Sequence, residues 1–278
     1  MPGVGGPAWP GPPYDRRVRK LTILEPYSDE DQNEVVTAAT YEKNISITFR
    51  GKNNRVVIAE GCRIEKLSVV FDCDNGTLTI GHNRRVKGGL WGIRVGQDAT
   101  VSIGDNVSST GVCIVSAVEG VTVRIGNDVM IASQNQVRAD DGHPIFDVHT
   151  GLRVNPAEDI TIGNHVWLAL GSIVLAGGRV GDGTVIGLNA LVTGKIPNNC
   201  IAVGSPARVV RRDIAWERPH LSYVEPFYKP DASTVRKSER YWNTTVEDTP
   251  VVTTQPGGRA RRVVRRLKHG AGRRLRHD

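Results

Sequence analysis

Rings are scarce in this chain. Phe, Trp and Tyr make up 5% of its 278 residues, although 39% are hydrophobic. A core that takes Ile, Val and Leu and has no room for rings points to a narrow solenoid. No apolar run approaches about 18 residues, so no transmembrane helix is expected. The N-terminus, MPGVGGPAWPGPPYDRRVRK, lacks the apolar stretch of a signal peptide. Cysteine occurs four times, at Cys62, Cys73, Cys113 and Cys200, with neither metal-like nor disulfide-like spacing. Reduced thiols in a cytoplasmic protein are the expectation. Acidic residues are missing from 259–277, where nine Arg or Lys fall together. The formal charge of +7 belongs to that tail, because residues 1–258 hold 27 basic and 28 acidic residues.

What the chain does have is a period of six. Ile162, Leu168, Val174, Val180, Ile186 and Val192 follow one another at that spacing, all branched aliphatics. Four places after the first five stand Val166, Ser172, Gly178, Thr184 and Ala190, all small or β-branched. Positions i and i+6 lie on opposite faces of a helix, so the pattern is not helical. It fits a chain that turns a corner every six residues, with one large apolar residue pointing inward from each short strand. Three sides close a triangular coil and the coils stack as parallel strands. An antiparallel sheet with glycine turns would not hold one spacing through six consecutive hits. The expected class is all-β, a parallel β-helix.

From Ile45 the same unit is present but degenerate. Ile58 and Ile64 are six apart, as are Ile80 and Val86, and Ile125, Ile131 and Val137 give three in phase. This divides the chain into five parts. Residues 1–20 are rich in Pro and Gly and are expected to be disordered. Residues 21–44 form a cap over the first coil, and 45–212 form the β-helix, with an insertion at 139–159. Pro197 and Pro206 are expected to end strand pairing. Residues 213–256 hold six of the chain's aromatics and are expected to pack on the solenoid's flank or on a neighbouring subunit. Residues 257–278 are the basic tail, where Val263, Val264 and Leu267 would share one helical face.

Three segments occur together: Asp141-Gly142-His143-Pro144, Ile162-Gly163-Asn164-His165-Val166-Trp167, and Ile201 through Arg208, IAVGSPAR. With the hexapeptide run they resemble the left-handed β-helix acyltransferases, and within them the galactoside and polysaccharide O-acetyltransferases. The resemblance covers about residues 45–218 and implies transfer of an acetyl group from acetyl-CoA to a hydroxyl of a sugar or glycan. It makes His143 the general base, acting directly and without a covalent acyl-enzyme. Imidazole suits that role because it titrates near neutral pH. Trp167 borders the reaction centre by the same resemblance, and Asp141 and Asp147 fall beside His143 on the substrate side. Asp140, Arg153 and Asn155 are further candidates to reach a glycan.

The resemblance places pantetheine along corner backbone groups at Ala169, Leu170 and Leu188. Some relatives carry Ser at the Leu170 position, where this chain offers only a backbone N–H to an oxyanion. Thr193 matches the family's Thr. The usual neighbouring Lys is Gly194 here, with Lys195 one place later. Arg208 and Arg211 match residues that meet the CoA phosphates, a contact suited to a guanidinium fork. The family arrangement is a homotrimer with active sites between subunits.

Two other readings stand beside this one. The chain could be a non-catalytic β-helix scaffold that binds through its tail, or a metal-dependent hydratase of the same fold using His143, His149 and His165. The spacing of those histidines, 6 and 16, does not match the hydratase pattern, so no metal is expected. The tail fits an anionic membrane surface at the inner face better than nucleic acid, because no ring is interleaved with its arginines.

Overall fold

The computed structural model describes residues 18–247. The expectations for 1–17 and for the basic tail at 257–278 lie outside these residues. The described chain is a solenoid of about seven turns with almost no helix. Its strands fall into three sides. One is an eight-stranded sheet that includes Ile45–Phe49, Cys113–Ala117 and Leu191–Val192. The second is nine-stranded and runs from Tyr27–Ser28 to Lys195–Ile196. The third starts as the pair Tyr41–Glu42 and Arg63–Ile64, and resumes as a six-stranded sheet from Ser108–Ser109 to Arg208–Arg211. No helix among the described residues is long and apolar enough to cross a membrane.

The six residues at strict spacing lie on the second, third and first sides in rotation, twice over. All six side chains are fully buried, and so are Val166, Ser172, Thr184 and Ala190. Ile162 pairs with Val180, Leu168 with Ile186 and Val174 with Val192, so one coil takes 18 residues. The earlier coils are longer. Val56 pairs with Leu78, Leu78 with Val101 and Val101 with Val123, which are 22 or 23 apart. Their first side consists of five- or six-residue strands that each bury three alternate side chains or more. This width explains why the sequence period is degenerate there. It also corrects the expectation of a ring-free core: Phe49, Phe71 and Trp91 are fully buried in the wide coils, with Phe49 stacked on Phe71 at 5.2 Å. Ile58 and Ile64 are core residues as expected, whereas Val86 sits in a turn.

Parallel pairing starts at Glu34–Thr37, inside the stretch read as a cap. Arg19–Leu21 and Tyr27–Ser28 do the capping, each laid antiparallel on the first coil. At the other end pairing continues past Pro197, since Ile201–Val203 joins Val185–Ile186 in parallel. Arg208–Arg211 then folds back antiparallel on Ile201–Val203 and closes the last coil. Neither proline stands where a ladder N–H is needed, so neither breaks the sheet.

At the corner between the second and third sides, Asn106, Asp128, His165, Gly183 and Asn199 are one coil apart and all have φ between 48° and 68°. That left-handed conformation favours Gly and Asn and tolerates Asp and His. The segment after Arg211 is fastened along this corner. Arg218 donates from Nε to Asp128 Oδ1 at 2.6 Å, Trp216 O accepts from His165 Nε2 at 2.9 Å, and Ile214 O accepts from Asn199 Nδ2 at 3.0 Å. Trp216 and Tyr241 therefore pack on the solenoid's own flank.

Candidate active site

The corner between the first and second sides is interrupted once. The chain leaves strand Gln136–Arg138 and returns at Ile160–Ile162, and between them an excursion closes on itself through a bridge from Phe146 to Arg153. The excursion is clipped down at both feet. Asp140 is buried and accepts from the Ser116 hydroxyl, from Arg94 Nη1 at 3.4 Å and from the Gly142 amide at 3.0 Å. Arg153 pairs with Glu119, whose carboxyl it holds below the usual range. Asp159 accepts from the Thr122 amide at 2.7 Å.

His143 stands exposed on the turn above Asp140, and among the described residues its ring has no hydrogen-bond partner. Its backbone is braced by Asn155, which donates from Nδ2 to His143 O at 2.9 Å and to Asp141 Oδ2 at 2.8 Å. The same side chain accepts from the Ile145 amide at 2.7 Å. Asp140, Arg153 and Asn155, read from sequence as reaching outward to a glycan, are thus turned inward as the struts of the His143 turn. Asp147 Oδ1 closes a turn of its own. The amide and hydroxyl of Thr150 and the amide of His149 hold its carboxyl below the usual range.

Trp167 lies on the third side and is 36% exposed, so its ring points outward. It belongs to an outward ladder, Met130, Trp167, Val185, Ile201, ending at Arg211. Trp216 packs against it at a tilt, with ring centres 5.9 Å apart and planes at 48°. Beside the ladder, at the corner between the third and first sides, Leu170 and Leu188 sit one coil apart and are exposed. The carbonyl of Leu170 is taken by the Asn189 amide, but its own amide has no partner among the described residues. The Ala169 amide, by contrast, is bonded to Ile186 O at 2.9 Å and is closed to a ligand. Thr193, Lys195, Arg208 and Arg211 are all exposed near the same end of the solenoid.

Two groups are not brought together within one chain. The excursion carrying His143 leaves from the corner between the first and second sides, whereas Trp167 is on the third side. The three histidines of the hydratase reading are also apart: His143 and His149 ride on the excursion and His165 is buried at another corner. Burial pushes the thiols of Cys62 and Cys113 up to about 12, which removes them as nucleophiles. The corner placement of His165 is legible in the sequence, and its burial is not. It occupies a corner where the neighbouring coils place Asn, Asp or Gly.

Three parallel sheets closed on an eighteen-residue coil define a left-handed β-helix of the hexapeptide type. No protein-family model matches the chain. It is 40% identical over 96 residues to the polysialic acid O-acetyltransferase of Escherichia coli O1:K1 / APEC, a match covering 34% of this chain and 31% of that protein. It is 42% identical over 97 residues to the galactoside O-acetyltransferase of Escherichia coli strain K12, covering 34% of this chain and 46% of that one. The solved structure of a polySia-specific acetyltransferase superposes with a TM-score of 0.59 at 31% identity, over 70% of this chain and 93% of that one. The chain belongs to the hexapeptide-repeat acyltransferase superfamily.

Proposed function

We propose that the chain is an O-acetyltransferase that moves an acetyl group from acetyl-CoA to a hydroxyl of a sugar or glycan. The observation that carries this reading is the outward ladder from Trp167 to Arg211. Three rungs of about 4.8 Å each separate its ends, or about 14 Å, a length suited to an extended pantetheine arm. Leu170 and Leu188 wall the arm, and Arg208 and Arg211 take the phosphates at its far end. Acetyl-CoA supplies the acyl group as a thioester. His143 removes the proton from the attacking sugar hydroxyl, and the free amide of Leu170 donates to the carbonyl oxygen as it gains charge. The thiolate of CoA is the leaving group. The active unit is a homotrimer in which the His143 excursion of one subunit meets the Trp167 face of the next. The names of the relatives support a glycan acceptor, with Asp141 and Asp147 on its side of the site.

Thioester release with acetyl-CoA and a panel of sugars and glycans, polysialic acid and galactosides among them, tests this reading. Acceptor-dependent release is expected. Release that no acceptor stimulates would leave the chain a β-helix without this activity.

A further inference from the structure

His165 is held at both ring nitrogens and stacked by two rings, and the reaction just outlined does not use it. Its side chain is 2% exposed. Nδ1 lies 2.6 Å from Asp128 Oδ2 and Nε2 lies 2.9 Å from Trp216 O. Both ring nitrogens are thus engaged by fixed partners. The ring is sandwiched between Trp216, at 4.1 Å and 12°, and Tyr241, at 4.6 Å and 4°. Trp216 answers with its own Nε1–H, donated to His165 O at 2.9 Å. Asp128 is fixed in turn by Arg218, which also donates to Ser108 Oγ, Asn106 O and Asp128 O.

Trp216, stacked on His165, is also the ring that packs against Trp167. Trp167 sits on a two-residue strand with Met130 and Val185 as its ladder neighbours. Neither is a flat wall, and an indole attached to so short a strand needs one to settle its tilt. We propose that His165 is a positioning residue. By holding Trp216 it sets the orientation of Trp167, and so makes segment 213–247 a working part of the reaction face. The inference rests on the acetyltransferase reading only in giving Trp167 a task; the coupling between the rings stands apart from it. Asn, Asp and Gly serve the backbone equally well at this corner, as Asn106 and Asn199 show. None of them can reach both acceptors and also fill the gap between two rings.

The experiment uses the full chain with ¹⁵N-labelled tryptophan. In His165→Asn, which keeps a residue at home in the left-handed corner, the indole N–H signals of Trp216 and Trp167 should both move. That of Trp91, buried in the wide coils, should not. Steady-state kinetics should show kcat/KM for transfer falling by about tenfold to a hundredfold, the scale of a misplaced reacting group. The same substitution made in a Trp167→Ala background should have almost no further effect, because coupled residues do not add. Trp216→Leu keeps His165 itself in the left-handed corner and should move the Trp167 signal in the same way, which covers a His165→Asn chain that fails to fold. A Trp167 signal unmoved in either variant overturns the inference, as does a full additional loss in the double variant. A wild-type chain without transfer activity overturns the acetyltransferase reading alone, because the spectra still report the coupling.

Discussion

His143 stands on a turn that is braced from beneath by Asp140 and across its neck by Asn155, and its ring takes no part in either brace. Removing the ring should therefore cost activity and little else. For His143→Ala the turnover is expected to fall by ~10²–10⁴, the usual worth of a general base. Thermal midpoint and CoA binding should stay close to wild type. Retained turnover with a sugar acceptor would send the search for a base elsewhere, and an unfolded variant would make His143 a structural residue. The thiols allow a second prediction at this scale. Cys62 and Cys113 are fully buried, with the neutral form favoured up to about 12, so neither should be alkylated by iodoacetamide at pH 8 in the folded chain. Half-exposed Cys73 serves as the positive control, read by mass spectrometry.

Among the elements, the coil core and the corner seam answer to different perturbations. Ile162 is fully buried on the second side, and truncating Ile162→Ala should cost about 2–5 kcal/mol in urea unfolding. Val36→Ala, on the outward surface of the same sheet, should stay within about 0.5 kcal/mol. The seam should respond to pH. Burial of Asp128 works against its charge, but hydrogen bonding from His165 and the nearby Arg218 outweigh it and leave the carboxyl below its ordinary 3.8. A carboxyl lowered on folding stabilises above its unfolded value and loses that contribution as pH falls through the folded one. The stability gap between wild type and Asp128→Asn should therefore be full at neutral pH and close below about pH 3.8. A gap that widens in acid would show that the carboxylate is not what holds the seam. The contrast between core and seam also explains what the sequence could reveal. The six-residue period was legible because each hit is a single inward side chain in an 18-residue coil. The wide coils hid theirs, because three buried residues per strand on one side blur any period of six, and they gave room to Phe49, Phe71 and Trp91. His143 and Trp167 stood out by motif. The struts Asp140, Arg153 and Asn155 looked like binding residues, because a polar side chain turned under a loop reads the same as one turned out.

At the scale of the whole molecule, two exposed apolar surfaces and one separation bear on the proposed trimer. The excursion exposes Ile145, Phe146, Val148, Leu152 and Val154, and the later segment exposes Leu221, Tyr223, Phe227 and Tyr228. Apolar groups gathered in this way usually mark an interaction surface. His143 and Trp167, the two residues that the motif match pairs, lie on a corner and on a side that do not adjoin. The proposed cyclic trimer accounts for the first surface and for the separation, since the excursion of one subunit would then cover its apolar face and bring His143 to the neighbour's Trp167. Sedimentation at micromolar concentration should give one trimeric species. Phe146→Asp together with Val148→Asp should shift it toward monomer and remove activity, while the far-ultraviolet spectrum of the coil stays the same. The decisive version mixes two impaired chains. His143→Ala and Trp167→Ala, combined after mild dissociation and reassembly, can form trimers in which an intact Trp167 face meets an intact His143 excursion across one boundary. Activity on mixing should rise well above the residual activity of either chain reassembled alone. A mixture that stays silent, with subunit exchange proved by mass, would place both residues of each site in a single chain and remove the shared site.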